Sequence, residues 1–329
     1  MKLIILTFIF FLIFYLIILF SYKLKLLDQP NTRKYHPKPT PFTGGISLAI
    51  CLFIIVRIFD VSIELTNIII YCILLSLLGL FDDFKQVKAE TRIFFQILVI
   101  LLVIYVSNIK IQSLGNYEYI GDVNLNSASH IFTVACMLVF INAFNYNDGI
   151  NGAAGSISIL ILSNLFIFDF LIYNFIDIEI LLVSIPILVF LFFNFNFFGK
   201  LTFLGNNGSL FLSSILGFIV IYKTFDQTLI EPNLVIWFLS YLVFEFLSVT
   251  QTRFMKNKNI LIPGDDHLHY LLKKKFGTFF AIIILLSINQ LLIMIGYFFS
   301  NISNLLSIAM FIIFYFLYYF LRKRIFISV

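Results

Sequence analysis

The sequence predicts an all-α, polytopic integral membrane protein with about ten to eleven transmembrane helices. Of its 329 residues, 61% are hydrophobic and only 12% are charged, whereas soluble domains are about 45–50% apolar and about 25% charged. The apolar residues form long runs, and most Lys and Arg residues lie between alternate runs. We expect a single transmembrane domain that covers residues 1–329.

A transmembrane helix needs about 20 predominantly apolar residues, and eleven runs in the chain approach this length. The predicted helices are 3–20, 43–59, 64–81, 93–107, 131–142, 152–170, 178–194, 205–224, 233–249, 279–298 and 303–320. The run 131–142 is the shortest and gives the weakest signal. The first run is long for a signal peptide and no small-residue cleavage site follows it, so it is interpreted as a spanning helix.

The positions of Lys and Arg predict the orientation, because basic residues concentrate in cytoplasmic loops. Of the 22 Lys and Arg residues, 18 lie in five segments on one side of an eleven-helix topology. These segments are 21–42, 82–92, 195–204, 250–278 and the tail from residue 321. We therefore expect the N-terminus outside, the C-terminus inside, and all polar clusters of the chain on the cytoplasmic face.

Two adjacent carboxylates, Asp82 and Asp83, follow the third apolar run. Carboxylates at a helix C-terminus oppose the helix dipole, and they repel each other unless a cation lies between them. Such hard oxygen ligands suit Mg²⁺, especially beside phosphates. A solvated helix end next to Lys85 and Lys88 explains the pair equally well at this point.

Asn142, Asn145 and Asp148 recur at intervals of three residues and therefore lie on one face of a helical turn. Gly149 and Gly152 then end the helix. Amide side chains at this depth are costly unless they bind something. The pattern favours a functional site.

Two further clusters contain residues that suit phosphate. Gly205, Asn206, Gly208 and Ser209 begin the eighth predicted helix, where glycines and a helix N-terminus can cradle a phosphate. A plain capping turn explains the same residues. The loop before the second helix is rich in Pro and carries Arg33 and His36, although a generic basic inside loop is the simpler interpretation.

The last cluster is the loop from Arg253 to Lys275, which contains His267 and His269. Two His residues two positions apart point in opposite directions on a helix, so they do not form a helical zinc pair. In a tight loop, both imidazoles could donate hydrogen bonds to phosphate oxygens. A generic basic loop is the alternative.

Taken in order, these clusters resemble the polyprenyl-phosphate N-acetylhexosamine-1-phosphate transferases, glycosyltransferase family 4. The similarity runs from Asp28 to about Gly277. Its first segment fits the branch of the bacterial undecaprenyl-phosphate GlcNAc-1-phosphate transferases better than the peptidoglycan branch. The resemblance implies an enzyme of the cell (inner) membrane that acts at the start of cell-envelope polysaccharide synthesis. It would transfer a sugar 1-phosphate, an N-acetylhexosamine in this family, from a UDP-sugar to polyprenyl (undecaprenyl) phosphate, with UMP as the second product.

The resemblance also implies Mg²⁺ as cofactor and a role for each matching residue. The implied catalytic residues are Asp82, Asp83, Asp148, His267 and His269. The implied metal ligands are Asn145, Asp148 and Asn206. The implied substrate-binding residues are Arg33, His36, Arg92, Asn142, Asn194, Gly205, Gly208 and Ser209. The expected partners are the UDP-sugar, polyprenyl phosphate and the lipid bilayer, with no nucleic acid. Dimers are common in such families, so a second copy of the chain is a candidate partner.

The chain departs from the family pattern at two acidic positions, since Asn206 and Asn151 stand where the family has Asp. An amide at 206 offers a carbonyl oxygen but no charge, which weakens Mg²⁺ binding. The alternative to the enzyme is therefore a catalytically impaired relative that binds polyprenyl phosphate or nucleotide sugar without turnover. A transporter fits less well, because transporters place polar groups near the bilayer midplane, often in two related halves.

Overall fold

A computed structural model describes residues 2–30, 38–225, 227, 230–258, 264 and 266–328, with side chains described up to residue 324. Arg33 and His36 lie outside the described residues. Within the described part, the chain is almost entirely helical. Besides the connecting segments, it contains two short antiparallel strand pairs.

The helices, numbered here in chain order, alternate with short connections. They are α1 (Lys2–Leu24), α2 (Gly44–Ile58), α3 (Ile63–Lys85), α4 (Ala89–Ser107), α5 (Ser129–Asn147), α6 (Ala153–Tyr173), α7 (Ile178–Asn194), α8 (Gly205–Phe225), α9 (Pro232–Phe238), α10 (Ser240–Met255), α11 (Leu268–Ser300) and α12 (Asn304–Ser328). The strands are β1 (Leu27–Asp28), β2 (Thr40–Pro41), β3 (Ser113–Tyr117) and β4 (Gly121–Asn124).

The predicted fold class is confirmed: the chain is an all-α, multi-pass membrane protein. Among the described residues, eight helices are long and apolar enough to cross a membrane. The pair α9 and α10, bent by 67° at Leu239, forms a ninth candidate, and α2 and α7 are shorter apolar helices. Each of the eleven predicted runs coincides with one of these helical segments.

Helix α8 is the central helix of the bundle, and nearly all of its residues are buried. Helices α2, α3 and α5 pack around it. Small residues on α8 allow this close approach, as is usual between membrane helices. Gly217, for example, lies against Met137 and Phe140 of α5. The N-terminal turn of α8 is also buried among these helices.

Three features differ from the sequence prediction, two of them helix boundaries. Helix α5 continues to Asn147 because its terminal amides find partners on neighbouring helices, as shown below. Helix α11 begins at Leu268, ahead of the predicted 279, and Gly277 interrupts it with φ +80°. The third difference is the β3–β4 hairpin, whose Glu118 accepts hydrogen bonds from the Asn304 and Leu305 N–H groups at the start of α12.

Candidate functional site

Four helix ends meet at one end of the bundle, and they carry most of the predicted site residues. The C-terminal ends of α3 and α5 and the N-terminal end of α8 are joined by side-chain hydrogen bonds. The N-terminal turn of α11 lies against the connection that follows α5. Residues from four separate sequence clusters therefore form one site.

The Asp83 carboxylate caps the N-terminus of α8. Its Oδ1 accepts a hydrogen bond from the Asn206 N–H at 2.9 Å, and its Oδ2 accepts from the N–H (3.1 Å) and the side-chain amide (2.8 Å) of Asn207. A carboxylate at a helix N-terminus is favoured by both the free N–H groups and the helix dipole. The N–H groups of Asn206 and Asn207 are therefore not open to phosphate. For these two groups, the interpretation as a helix cap fits better than the interpretation as a phosphate-binding turn.

Glycines let α2 and α3 approach this turn of α8 closely. A Cβ at Gly45 would overlap the side chain of Asn207 and the Gly208 backbone, and one at Gly79 would overlap the Asn206 backbone. Gly205 has φ +73°, a conformation that favours glycine. The glycines thus place the α8 terminus beside Asp83.

The Gly79→Ala variant is expected to lose about 1–3 kcal/mol of unfolding free energy, because overpacking forces the α8 terminus away from α3. The melting temperature of the purified protein in detergent measures this loss. Ser76→Thr is the matched control on the same helix, since Ser76 lines an open groove of about 270 Å³ between α2 and α3. Equal melting temperatures for the two variants would contradict the close approach at Gly79.

Asp82 has different partners from Asp83. Its Oδ1 accepts from the Val87 N–H at 2.7 Å, and its Oδ2 lies 3.5 Å from Nη1 of Arg92. The carboxylate therefore closes the turn between α3 and α4. The adjacent acids thus each accept hydrogen bonds from their own donors, whereas the sequence had left a pair that shares a cation and a solvated helix end equally open.

The amides of α5 connect this helix to α4 and α8. The Asn142 side-chain amide donates to Oε1 of Gln96 at 3.1 Å. The Asn145 amide donates to Oδ1 of Asn206 at 3.2 Å and to the Ser209 hydroxyl at 2.5 Å. The expected helical face of Asn142 and Asn145 is confirmed, and Asn145 lies directly against the α8 terminus.

Asp148 ends α5 and has a carboxylate to which no described residue donates a hydrogen bond. Desolvation raises the pKa of Asp148 well above its ordinary value, and the nearby charge of Asp83 raises it further. The Asn145 side-chain oxygen likewise accepts no hydrogen bond from a described residue. Carboxylate and amide oxygens without donors suit a cation better than a hydrogen-bond network.

This donor set fits Mg²⁺, which binds one or two carboxylates and completes its shell with water or phosphate oxygens. Asp148 supplies a free carboxylate, and Asn145 and Asn206 supply amide oxygens. In the described part of the chain, no group of three or more His, Cys, Asp or Glu side chains is placed to hold a metal.

Asn194 has a positioning role in the structure. Its Oδ1 accepts from the Gly152 N–H at 2.5 Å, and its amide donates to the Thr202 carbonyl at 2.8 Å. Gly152 has φ +89° and caps α6. Asn194 therefore joins the start of α6 to the segment before α8, and its hydrogen bonds go to the protein backbone.

His267 and His269 lie side by side, with ring centroids 5.5 Å apart and ring planes 12° apart. They do not point in opposite directions, because His267 has extended backbone angles and only caps α11. Both are buried, and neither ring nitrogen of His269 has a hydrogen-bond partner among the described residues. A Cβ at Gly149 would overlap His269 Nε2 and the Tyr270 ring, so the imidazole lies against the connection after α5.

The structure adds two charged residues that the sequence prediction missed, Glu245 and Arg322. Glu245 lies within a predicted span, and a lone carboxylate in an apolar run is a signal for function. Arg322 was assigned to a basic tail, but it is buried and lies 3.2 Å from Glu245. Nothing in the local sequence separates Arg322 from its neighbours Lys323 and Arg324, because its burial depends on where α12 packs.

The fold and the site define a multi-pass membrane protein with a polar site at one end of its helical bundle. Residues 65–224 match the family model described as "Glycosyl transferase family 4". Nearly half of the chain is therefore similar to this family, in agreement with the resemblance of its motifs.

Similar proteins cover most of the chain. An undecaprenyl-phosphate alpha-N-acetylglucosaminyl 1-phosphate transferase of Thermotoga maritima is 27% identical over 301 residues, which are 91% of this chain and 87% of the relative. The protein of the same name from Yersinia pestis is 25% identical over 92% of this chain and 85% of its own length. A probable undecaprenyl-phosphate N-acetylglucosaminyl 1-phosphate transferase of Bacillus subtilis is 27% identical over 75% of this chain and 70% of its own length.

Proposed function

We propose that the protein transfers a sugar 1-phosphate, an N-acetylhexosamine 1-phosphate, from a UDP-sugar to polyprenyl (undecaprenyl) phosphate. The products are polyprenyl diphosphate-sugar and UMP, at the start of cell-envelope polysaccharide synthesis. The observation that carries this proposal is the meeting of Asp83, Asn145, Asp148 and Asn206 at one end of a membrane bundle. Relatives of this chain over most of its length are named for this transfer to undecaprenyl phosphate.

The site opens to the cytoplasm in this proposal. The basic segments of the chain follow or precede the same helix ends that carry the site, and basic residues mark the inside of a membrane. A lipid phosphate reaches such a site from the membrane interface, and a UDP-sugar reaches it from the cytosol. The cell membrane is then the location of the protein.

In the reaction, an oxygen of the lipid phosphate attacks the β-phosphorus of the UDP-sugar. A new P–O bond forms, and the bond from the β-phosphorus to the bridging oxygen breaks. The bridging oxygen leaves with UMP and keeps the electron pair, so no oxidant or further reactant is needed. Catalysis of such a displacement consists mainly of positioning and charge stabilisation.

Individual residues of the site have different roles in the proposed reaction. Asp148 and the amide oxygens of Asn145 and Asn206 would hold Mg²⁺, which supplies positive charge against the diphosphate when bound. Asp83 keeps the α8 terminus, and with it Asn206, in place. The ring nitrogens of His269 have no hydrogen-bond partner among the described residues, and its one N–H group would donate to a phosphate or sugar oxygen. Arg92, held by Asp82, adds a positive charge at the start of α4.

The first test is release of UMP by purified protein in detergent with UDP-GlcNAc, undecaprenyl phosphate and Mg²⁺. We expect UMP release that requires the lipid and stops when EDTA removes the metal. Isothermal titration with UDP-GlcNAc, with and without Mg²⁺, runs beside it. Binding without product from any UDP-N-acetylhexosamine would refute turnover and favour the impaired relative, in which Asn206 and Asn151 replace the usual acids.

The Asn206→Asp variant is expected to lower the Mg²⁺ concentration for half-maximal UMP release by about tenfold, or about 1.4 kcal/mol. An Asp keeps the oxygen that accepts from Asn145 and adds a negative charge for the cation. Titration of Mg²⁺ in the UMP assay measures the change. Asn196→Asp, which adds the same charge at an exposed position outside the site, is the control and should leave the midpoint unchanged. An unchanged midpoint for Asn206→Asp would remove Asn206 from the metal ligands.

A further inference from the structure

Glu245 is a buried carboxylate of α10 that contacts residues of α11 and α12. Its Oε1 accepts from the Leu268 N–H of α11 at 2.8 Å, and its Oε2 accepts from the Tyr318 hydroxyl of α12 at 2.6 Å. Nε of Arg322 lies 3.2 Å from the same Oε2. We call Glu245, Tyr318 and Arg322 the carboxylate hub. A buried carboxylate needs such partners, because desolvation of an unpaired charge is costly.

The carboxylate hub contacts the turn that carries His267 and His269. Nδ1 of His267 lies 3.3 Å from Glu245 Oε1, the oxygen that also accepts from the Leu268 N–H. Glu245 therefore contacts both a ring and the backbone between His267 and His269. Since the two imidazoles stack on each other, placement of His267 also places His269.

The residue before His267 is held from two helices. Arg322 of α12 donates to the Asp266 carbonyl oxygen. Arg253 of α10 donates to the Asp266 carboxylate from Nε at 3.0 Å and from its terminal nitrogen at 2.5 Å. The contacts of α10 and α12 thus concentrate on residues 266–268, immediately around the histidines.

A purely structural role for the hub explains these contacts less well. Buried ion pairs are weak contributors to stability, because desolvation offsets their attraction. Helix α12 is also attached elsewhere, through Tyr315 to Gln251 and through packing of Phe311 on Phe244. Helix α12 therefore has contacts with α10 that do not involve the hub, whereas the contacts of the hub converge on residues 266–268.

We propose that Glu245, together with Tyr318 and Arg322 of the C-terminal helix, forms a positioning device that holds His267 and His269 against the phosphates of the nucleotide sugar. This inference rests on the proposed function in assigning the nucleotide sugar as ligand. With this role, α12 is a part of the reaction site, although this helix lies beyond the region matched to the family model.

The first experiment compares Tyr318→Phe with Tyr315→Phe. Each change removes one hydroxyl from the same face of contact between α12 and α10, but only Tyr318 reaches Glu245. We expect Tyr318→Phe to lower kcat/KM for UDP-GlcNAc by about tenfold, in the range usual for the outer partners of a ligand-binding group. Tyr315→Phe should remain within about twofold of the wild type. Equal effects would overturn the inference.

The second experiment separates positioning from folding. Glu245→Gln leaves Arg322 buried without its carboxylate and is expected to be both less stable and less active. The double variant Glu245→Gln with Arg322→Gln removes both charges and should regain melting temperature. We expect its kcat/KM to stay at least about tenfold below the wild type. Activity that returns together with stability would show a structural role only and overturn the proposal.

A binding readout keeps this test apart from the test of the transferase. The rise in melting temperature that UDP produces is measured for the wild type and for Tyr318→Phe. A smaller rise in melting temperature for Tyr318→Phe than for Tyr315→Phe supports the positioning role of the hub. This conclusion holds even if the wild type releases no UMP, because the lack of UMP release would refute only the proposed function. Equal rises in both variants, alongside equal turnover, would refute the hub while the transferase stands.

Discussion

The Asp83→Asn variant is expected to release UMP at least about 100-fold more slowly than the wild type, in the range found when a preorganised polar contact is removed from an active site. Asp83 alone accepts from two N–H groups at the start of α8 and from the Asn207 side chain. An amide has one acceptor oxygen, so at least one N–H group of Asn206 or Asn207 loses its partner. The α8 terminus, which carries Asn206 and Ser209, then shifts.

The loss of these hydrogen bonds should also lower the free energy of unfolding by about 1–3 kcal/mol. UMP release and the melting temperature in detergent measure the two effects. Asp82→Asn is the matched control, because Asp82 accepts from Val87 and faces a partly exposed Arg92. We expect its activity loss to be at least about tenfold smaller than that of Asp83→Asn. Equal losses would show that the two carboxylates act as one unit, contrary to the separate partners in the structure.

The Asp148→Asn variant is expected to combine a large loss of activity, about 100-fold or more, with no loss of stability in the metal-free protein. The Asp148 carboxylate has no donor among the described residues and lies near the charge of Asp83. A neutral amide of the same size relieves this repulsion and desolvation. It also removes a carboxylate that accepts no hydrogen bond from the described residues and would bind Mg²⁺.

The melting temperature in EDTA and in Mg²⁺ separates these effects. In EDTA, Asp148→Asn should melt at or above the wild-type temperature, and in Mg²⁺ the wild type should gain stability that the variant does not. Without metal, a protonated Asp148 contributes to the free energy of unfolding. This contribution is fully present below pH 3.8, the ordinary pKa of the group, and is lost as the pH rises through its raised pKa in the folded protein. The variant should lack this pH dependence. A lower melting temperature for Asp148→Asn in EDTA would contradict a carboxylate without partners.

The helices and the identity of most site residues followed from the sequence. Each span crossing lipid must be apolar and must satisfy its own backbone hydrogen bonds, so the eleven runs located the helices before any contact was known. Polar residues inside such a chain are costly, and therefore Asp82, Asp83, Asn145 and Asp148 stood out locally. The start of α6 was equally local, because Gly152 takes φ +89° immediately before it, a conformation that favours glycine.

Only the tertiary structure decided which of these residues meet and what each one does. Asp82 and Asp83 are neighbours in sequence, yet one closes a turn and the other caps α8, more than 120 residues away. The helical start at Leu268 and the burial of Arg322 depend in the same way on Glu245, which lies on another helix. Hydropathy and motif spacing describe each segment alone, whereas hydrogen bonds between helix ends depend on how the segments pack. For this reason the sequence determined the helices and the chemistry available to them, and the packing assigned the partners.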